Sequence, residues 1–400
     1  MHCFRKITDD LYWVGASDRR IELFENIFPL SDGVSYNSYL LLDDKTVLFD
    51  SADYSVGRQF LENVQAALNG RSLDYLIVNH MEPDHCAMID ELVLRYPDMQ
   101  IIGNAKTFPM IDQFFNFNLE GKKVIVKEGD TFCTGKHTLH FVMAPMVHWP
   151  EVMMTYDETD KILFCADAFG TFKALNGNIF NDEVNFGRDW LDEARRYYTN
   201  IVGKYGMQVQ AVLKKAAGLD IQMLCPLHGP IWRTDLDYII GKYDKWSRYE
   251  PEEKGVMIAY ASMYGNTENM AEILAAKLAE AGVKDIRMHN ISKTHVSELI
   301  ADSFKYSHIV LAAPTYNNGI YPLMDNYLED MKALALKNRT IAVLGNGSWA
   351  PQSTKLISTK ISEMKDMSLM VAAVTIKSSV KEAQMEEIES LARQIAEEVL

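Results

Sequence analysis

Cysteine is scarce in this chain of 400 residues, and no two cysteines have the CxxC spacing. The five cysteines are scattered along the chain and odd in number: Cys3, Cys86, Cys133, Cys165 and Cys225. This pattern argues against a disulfide framework, a zinc ribbon, an iron–sulfur cluster and a fused rubredoxin. We therefore expect a reducing, cytoplasmic compartment, in which the cysteines are small buried packing residues.

Long apolar runs and basic segments are also missing. No run approaches the roughly 20 apolar residues that cross a bilayer, and the N-terminus, MHCFRKITDD, lacks the apolar core of a signal peptide. The formal net charge of −15 argues against nucleic acid or an anionic membrane as a partner. What remains, 48% hydrophobic and 24% charged residues, is typical of a folded chain of two or three domains.

The two halves of the chain have different sequence patterns. In the first half, short β-like runs are followed by a helical pattern from about Arg188 to Ala217 and by the apolar run QMLCPLHG. A charged segment with a proline, residues 245–255, then interrupts the pattern. We accordingly expect one domain at residues 1–250 and another at 254–400. The strand-like runs of the first half are LYWVGA, SYNSYLLLDD, TVLFDS, DYLIVNH, QIIGN, KKVIVKEGD, HTLHFVMAP, VMMTYD and KILFCADAF.

In the second half, continuous apolar strands alternate with amphipathic helical patterns. The last helix is predicted from about Lys381 to Leu400, with Met385, Ile388, Leu391, Ile395 and Val399 on one stripe. Such alternation indicates a parallel sheet that is covered by helices on both faces. The predicted strands are VMIAYAS, IRMHNIS, HIVLAAPTY, TIAVLGNGS and LMVAAVTI.

Ligand-type side chains crowd the segment NHMEPDHCAM, residues 79–88, directly after an apolar run. Two imidazoles and two carboxylates fall within six positions, in the pattern HxExDH: His80, Glu82, Asp84 and His85. Buried carboxylates placed side by side repel each other unless a cation balances their charge. The segment therefore predicts a metal site.

Three further ligand-type residues also end strand-like runs. They are His148 after HFVMAPMV, Asp167 after KILFCA and His228 after QMLCPL. Strand ends are places where a site can be assembled, so we expect these three to join the HxExDH segment. The other six histidines are interpreted as structural: His2, His137, His140, His289, His295 and His308.

The HxExDH segment with its distant His, Asp and His resembles the metallo-β-lactamase fold, whose hydrolases usually carry HxHxDH and bind zinc. With Glu82 in the second position and a flavodoxin-like second half, the chain resembles the flavodiiron proteins (A-type flavoproteins). The resemblance implies an N-terminal αββα sandwich and a C-terminal doubly wound, parallel five-stranded sheet. It also implies that His80, Glu82 and His148 hold one iron. Asp84, His85 and His228 then hold the other, and Asp167 bridges the two.

The chemistry of Glu82 agrees with iron. A carboxylate in place of an imidazole adds a hard anionic ligand that favours an oxidisable metal in its higher state, whereas zinc has no redox chemistry. Two alternatives stay open. One is a zinc-dependent hydrolase of the metallo-β-lactamase type with a regulatory flavodoxin domain, and the other is an electron carrier or redox sensor that uses only the flavin.

Three loops of the second half predict a flavin site. The turn after VMIAYAS offers hydroxyls and free N–H groups at a helix N-terminus, which suits a phosphate. Two more loops end the third and fourth strands, at the edge where doubly wound sheets bind ligands. The similarity to flavodoxins implies FMN, whereas NAD calls for GxGxxG, which is absent. The predicted contacts are Ser262, Met263, Tyr264, Gly265, Asn266, Thr267, Pro314, Thr315, Tyr316, Asn317, Gly319, Asn346, Gly347, Ser348 and Trp349.

The resemblance implies an oxidoreductase that reduces O2 to water, NO to N2O, or both. A separate rubredoxin, another small carrier or a reduced deazaflavin has to supply electrons. It also implies a homodimer or a dimer of dimers, in which one subunit's FMN lies beside the other's irons. Glu25 stands roughly where some relatives carry a histidine, so that position gives no preference between O2 and NO. Trp149, next to His148, either walls the pocket or packs in the core.

Overall fold

The computed structural model describes residues 1–400, which form two compact units. The first comprises Met1–Tyr198 and Met207–Asp244, and the second comprises Thr199–Gly206 and Lys245–Leu400. No helix in the structure combines the length and low polarity needed to span a bilayer.

The first unit contains a seven-stranded and a five-stranded sheet. Pairing in the larger sheet is antiparallel over its first four strands and parallel over the rest. Its strands, in spatial order, are Arg5–Lys6, Leu11–Trp13, Tyr39–Leu42, Thr46–Phe49, Tyr75–Ile77, Gln100–Asn104 and Lys123–Val126. The smaller sheet is antiparallel except for its last, parallel pair. Its strands are Thr131–Cys133, Thr138–Met143, Met153–Asp157, Ile162–Phe164 and Met223–Cys225.

The two sheets of the first unit pack face to face. The rings of Phe49 in the larger sheet and Phe164 in the smaller sheet are stacked with centroids 3.8 Å apart, and Tyr39 lies 5.5 Å from Phe164. All three side chains are buried, so the core lies between the sheets. Two small hairpins complete the strands: Ala16–Asp18 with Val34–Tyr36, and Leu23–Phe24 with Phe28–Pro29.

Eight helices come from the first part of the chain. Helix Gly57–Leu68, for example, buries Phe60, Leu61 and Val64. The others are Pro83–Cys86, Ile89–Arg95, Thr107–Phe114, Phe186–Asp189, Leu191–Tyr197, Gly206–Ala216 and Leu236–Ser247. Short 3₁₀ turns occur at Tyr54–Val56, Asn181–Glu183 and Gly203–Tyr205.

The long helical stretch predicted from about Arg188 to Ala217 is helical over almost its whole length, but it is not one regular α-helix. Helices Leu191–Tyr197 and Gly206–Ala216 are joined by a π turn at Tyr198–Val202 and a 3₁₀ turn at Gly203–Tyr205. Gly206 has helical dihedral angles, φ −52° and ψ −40°, and a Cβ atom there would lie 2.3 Å from the carbonyl oxygen of Ser247. The backbone therefore approaches too closely for a regular helical side chain at this position.

The second unit is a doubly wound parallel sheet, as predicted. Its central strands lie in the order Ile286–Asn290, Glu253–Tyr260, Tyr306–Tyr316 and Arg339–Asn346. The fifth position is occupied by two short pieces, Met367–Leu369 and Val374–Ile376, which both pair in parallel with Arg339–Asn346. A small strand, Gly319–Ile320, pairs antiparallel with the end of Tyr306–Tyr316.

Helices cover this sheet and share its apolar core. The last helix is Glu382–Val399, close to the prediction, and its stripe of Ile388, Leu391, Ile395 and Val399 is buried. Met385 is only partly buried. The other helices are Asn266–Glu280, Val296–Lys305, Pro322–Ala333 and Ser353–Ser362. The predicted phosphate loop lies just before Asn266–Glu280.

Candidate metal centre and flavin site

The HxExDH segment folds into a loop and one short helix after strand Tyr75–Ile77. Helix Pro83–Cys86 begins at a proline, whose missing N–H is no loss at this position and whose fixed φ suits a first turn. Glu82 precedes it in an extended conformation, whereas Asp84 and His85 lie within the helix. The change of conformation at Pro83 separates Glu82 from Asp84, so that each can face a different neighbour.

Residues at the end of strand Thr46–Phe49 hold this segment in place. The buried carboxylate of Asp50 accepts hydrogen bonds from the backbone N–H and side-chain amide of Asn79, at 2.7 and 2.8 Å, and from His80 N–H at 3.1 Å. The hydroxyl of Ser51 donates to the carbonyl oxygen of His85 at 2.8 Å. Sequence reasoning did not single out Asp50, although an aspartate directly after a buried strand was a usable signal.

The three distant candidates come from strand ends of the five-stranded sheet. His148 lies between strands Thr138–Met143 and Met153–Asp157, Asp167 follows Ile162–Phe164, and His228 follows Met223–Cys225. The structure brings all seven predicted side chains together in one buried cluster, and none is more than 8% exposed. We call these seven the metal cluster: His80, Glu82, Asp84, His85, His148, Asp167 and His228.

The metal cluster divides into two groups. In the first, Glu82 Oε2 lies 3.0 Å from His148 Nε2 and 3.3 Å from His80 Nε2. In the second, Asp84 Oδ2 lies 3.3 Å from Nε2 of both His85 and His228. The ligand atoms of each group lie within 4.8 Å of one another.

Asp167 lies between the two groups, with one oxygen toward each. Its Oδ2 is 3.3 Å from His80 Nε2 and 3.2 Å from His148 Nε2. Its Oδ1 is 3.1 Å from His85 Nε2 and 3.7 Å from His228 Nε2. One carboxylate thus faces both sets of imidazoles, which is the arrangement a bridging ligand needs.

Buried polar atoms without hydrogen-bond partners indicate whether cations fit the metal cluster. Both carboxylate oxygens of Asp84 and Oδ1 of Asp167 are buried and make no hydrogen bond, a costly state unless something else pairs with them. The Nε2 atoms of His85 and His228 are only 3.1 Å apart. Two imidazole nitrogens that each lie about 2.1 Å from the same metal ion would be separated from each other by a distance similar to the one between these two Nε2 atoms. The donor set therefore fits two metal ions.

The protonation equilibria of the cluster agree with this fit. Burial opposes ionisation of Glu82, but hydrogen bonds from His148 and His80 hold its pKa below the ordinary value. Burial likewise opposes protonation of His148, but hydrogen bonds to Asp167 and Glu82 raise its pKa to about 9. The surplus negative charge thus attracts protons to the imidazoles, and a bound metal displaces such protons.

A cavity of about 610 Å³ borders the metal cluster, and its lining includes Glu82 and Asp84. Glu25 also lines it, at the tip of hairpin Leu23–Phe24 and Phe28–Pro29. Loss of water around its carboxyl group and the nearby charge of Glu82 raise the pKa of Glu25 to about 8. Glu25 is therefore a further acidic group at the edge of the site.

Trp149 and Cys86 are neighbours of the cluster. The Trp149 ring stands edge-on to His80, with centroids 5.4 Å apart, and is partly exposed. Cys86 is buried, and its thiol donates to the carbonyl oxygen of Met81 at 3.2 Å. Burial also raises the pKa of the Cys86 thiol, so Cys86 is a packing residue, as the sequence suggested.

In the second unit, the three predicted loops line one cavity of about 500 Å³. Thirteen of the fifteen predicted contacts line it, and the exceptions are Gly265 and Gly319. Gly265 shapes the first loop instead, since its φ of 88° is unfavourable for other residues and its N–H donates to Ser262 Oγ. Sequence reasoning missed Asn318, Ala350 and Ser378.

Ser378 closes the cavity beside the fourth strand of the chain's second half. Its N–H donates to Asn346 Oδ1 at 3.1 Å, and its hydroxyl lies 2.9 Å from that of Ser348. Ser378 follows the split fifth strand, some thirty residues after the loop it contacts. Only the pairing of Val374–Ile376 with Arg339–Asn346 brings these residues together.

Family models match both halves of the chain. The model of the ODP family beta lactamase matches residues 34–229, and the flavodoxin model matches residues 258–398. The two matched regions contain all seven residues of the metal cluster and all three flavin loops, respectively.

Similar proteins cover most of the chain. An uncharacterized protein of Methanocaldococcus jannaschii is 32% identical over 352 residues, which are 88% of each chain. The anaerobic nitric oxide reductase flavorubredoxin of Escherichia coli is 30% identical over 378 residues, 92% of this chain and 77% of that one. The solved rubredoxin:oxygen oxidoreductase of Desulfovibrio gigas has a TM-score of 0.92 at 27% identity, covering 99% of this chain and 98% of that one.

Proposed function

Because the chain belongs to the flavodiiron proteins, we propose that it takes electrons from a donor through FMN and uses them at a diiron centre to reduce O2 to water, NO to N2O, or both. The predicted fold class and the predicted cofactors, FMN and a diiron centre, are confirmed by this membership. Two bound irons supply open coordination positions, charge stabilisation and electrons at one place.

One observation carries the assignment of ligands: the two oxygens of Asp167 face two different sets of imidazoles. It supports Asp167 as the bridge, at 3.2–3.3 Å from the first pair of histidines and 3.1–3.7 Å from the second. His80, Glu82 and His148 then hold one iron, and Asp84, His85 and His228 hold the other. In this proposal, residues 1–250 form the iron domain and 254–400 the FMN domain.

Aromatic side chains around the second group would keep water away from the reacting gas. Phe24, Tyr36 and Tyr197 all lie against His228, with ring centroids 5.3–5.8 Å from it. A site with few water molecules strengthens each charge interaction inside it. We therefore assign these three rings to shielding the site, and the seven ligands to holding the irons.

The proposed FMN site is the cavity of the second unit. Its hydroxyl-rich first loop suits the single phosphate of FMN, at the N-terminus of helix Asn266–Glu280. Tyr316 and Trp349 are 40% and 85% exposed and offer aromatic faces to the flat ring system. The residues that act here are those predicted from the three loops, together with Asn318, Ala350 and Ser378.

The names of similar proteins point to both gases. The Escherichia coli relative is named for nitric oxide and the Desulfovibrio gigas structure for oxygen, so both are proposed substrates. The proposed donor is a separate rubredoxin, another small carrier or a reduced deazaflavin. We place the protein in the cytoplasm, in line with its five free cysteines. A homodimer or dimer of dimers is expected, and an active monomer in size-exclusion chromatography would contradict it.

The deciding experiment combines metal analysis with single-turnover kinetics. The purified protein should hold two irons per chain rather than two zincs. FMN is then reduced photochemically without air, and its reoxidation by O2 and by NO is followed in wild type and Glu82→Ala. Loss of an iron ligand should slow reoxidation by roughly 100-fold or more.

Glu158→Ala is the matched control, because Glu158 also pairs with a histidine, His140 at 2.9 Å, but outside the metal cluster. It should behave as wild type. Equal reoxidation in Glu82→Ala and wild type would leave only the flavin reacting, which favours the electron-carrier alternative. Two zincs with esterase activity would favour the hydrolase.

A further inference from the structure

Glu151 is a buried carboxylate just outside the metal cluster. It follows His148 by three residues and is 1% exposed. Its Oε1 accepts hydrogen bonds from His80 Nδ1–H at 2.8 Å and from the backbone N–H of Met81 at 2.8 Å. Its other oxygen, Oε2, is buried and makes no hydrogen bond.

The contact fixes the ring of His80. With Nδ1 donating to Glu151, Nε2 is left free to face Glu82 and Asp167, at 3.3 Å from each. The other histidines are held differently: His228 Nδ1 donates to a backbone carbonyl oxygen at 2.7 Å, and His85 Nδ1 makes no hydrogen bond. Among the Nδ1 atoms of these three histidines, only that of His80 is hydrogen-bonded to a charged acceptor.

The position of Glu151 also ties two loops together. The segment that carries His148 is anchored, through Glu151, to the segment that carries His80. The side-chain amide of Asn104 donates to the carbonyl oxygen of Glu151, which fixes the backbone there as well. A change at Glu151 should therefore act on the first group of ligands and leave Asp84, His85 and His228 in place.

We propose that Glu151 is a positioning residue that selects the tautomer of His80 and, through its charge, increases electron donation from this imidazole to its iron. The inference rests on the proposed function. A carboxylate behind a ligating histidine raises the basicity of the ligand, and a more basic, more anionic ligand set stabilises ferric over ferrous iron. Glu151 therefore lowers the reduction potential of the iron held by His80.

The test uses the holoprotein and two variants of Glu151. Glu151→Gln keeps a hydrogen-bond acceptor but removes the charge, and Glu151→Ala removes both. Asp157→Asn is the matched control, since Asp157 makes the same kind of bond to His137 at 2.7 Å away from the metal cluster. Iron affinity, the redox midpoints of the diiron centre and the Mössbauer quadrupole splittings of ⁵⁷Fe-loaded protein are measured for each.

Glu151→Gln should keep both irons, raise one midpoint potential and change the quadrupole splitting of one iron only. Glu151→Ala should bind that iron roughly 10- to 100-fold more weakly, and Asp157→Asn should match wild type in all three measurements. Wild-type potentials and splittings in Glu151→Gln would overturn the inference, and this variant decides the question alone if Glu151→Ala does not fold.

A failure of the proposed diiron function can be distinguished from a failure of the positioning role of Glu151. If wild type takes up zinc instead of iron, the diiron proposal fails, while weaker zinc binding by Glu151→Ala still supports the positioning of His80. Unchanged zinc affinity in that variant would overturn the positioning role as well.

Discussion

Two histidine–carboxylate clusters in the first unit differ in how their charges are balanced. In the metal cluster, both carboxylate oxygens of Asp84 and Oδ1 of Asp167 have no hydrogen-bond partner. In the second cluster, which we call the His137 cluster (Asp10, Lys136, His137 and Asp157), both ring nitrogens bind carboxylates. His137 Nδ1 lies 2.7 Å from Asp157 Oδ2, and Nε2 lies 3.0 Å from Asp10 Oδ2.

Proximity alone does not separate the two clusters. Asp10, His137 and Asp160 also place ligand atoms within 4.8 Å of one another. However, Lys136 Nζ lies 2.8 Å from Asp10 Oδ2, so a cation already occupies that side. A proton on His137 and the ammonium group of Lys136 balance the carboxylates, whereas the metal cluster leaves carboxylate oxygens without a partner. Close ligand atoms alone therefore do not identify a metal site, and the unpartnered carboxylate oxygens of Asp84 and Asp167 distinguish the metal cluster from the His137 cluster.

The largest expected difference between the two clusters appears when one carboxylate in each is replaced by its amide. Asp84→Asn should lose one of the two irons and slow gas reduction roughly 100-fold or more, because its oxygens have no role except to bind metal. Asp157→Asn should keep both irons and full activity. Iron analysis and single-turnover kinetics check both variants, and iron loss in Asp157→Asn would erase the distinction between the clusters.

Replacing His137, whose ring contacts both Asp157 and Asp10, should affect stability rather than activity. His137→Gln should lower the free energy of unfolding by about 3 kcal/mol at pH 6, because it leaves the buried carboxylate of Asp157 without its positive partner. Urea denaturation measures this loss. His140→Gln is the control: His140 is partly exposed and pairs with an exposed Glu158, so its loss should cost less than about 1 kcal/mol. Equal losses in the two variants would contradict the assignment.

The stability difference between wild type and His137→Gln should depend on pH. Burial opposes the charge on His137, but hydrogen bonds to Asp157 and Asp10 raise its pKa to about 9, from about 6.5 in the unfolded chain. The contribution is therefore full below about pH 6.5 and is lost as the pH rises through about 9. Denaturation from pH 6 to 10 should show the difference shrinking by about 3 kcal/mol, and a constant difference would refute a charged His137.

The smallest effect is expected at the surface of the His137 cluster. Lys136 is 54% exposed, so Lys136→Ala should change the free energy of unfolding by less than about 1 kcal/mol. Urea denaturation with and without added salt measures it. A loss as large as that of His137→Gln would mean that the ammonium group, rather than the imidazole, balances Asp10.

Much of the metal cluster was predictable because its residues follow short apolar strands in a spaced motif. Glu151 was not singled out, although it lies next to His148, because its role depends on the loop folding back onto His80. Ser378 was missed for the same kind of reason, since strand pairing, not sequence distance, brings it to Asn346. The helical stretch predicted from about Arg188 has the predicted extent, but apolar spacing does not report the π and 3₁₀ turns within it.

The order of the ligands along the chain has a consequence for biosynthesis. All seven residues of the metal cluster lie between His80 and His228, whereas the FMN cavity begins at Ser262. Domains fold as units during synthesis, the N-terminal one first. The full set of proposed iron ligands therefore leaves the ribosome before any residue of the flavin cavity, so the proposed iron site can form while the flavin half of the chain is still being made.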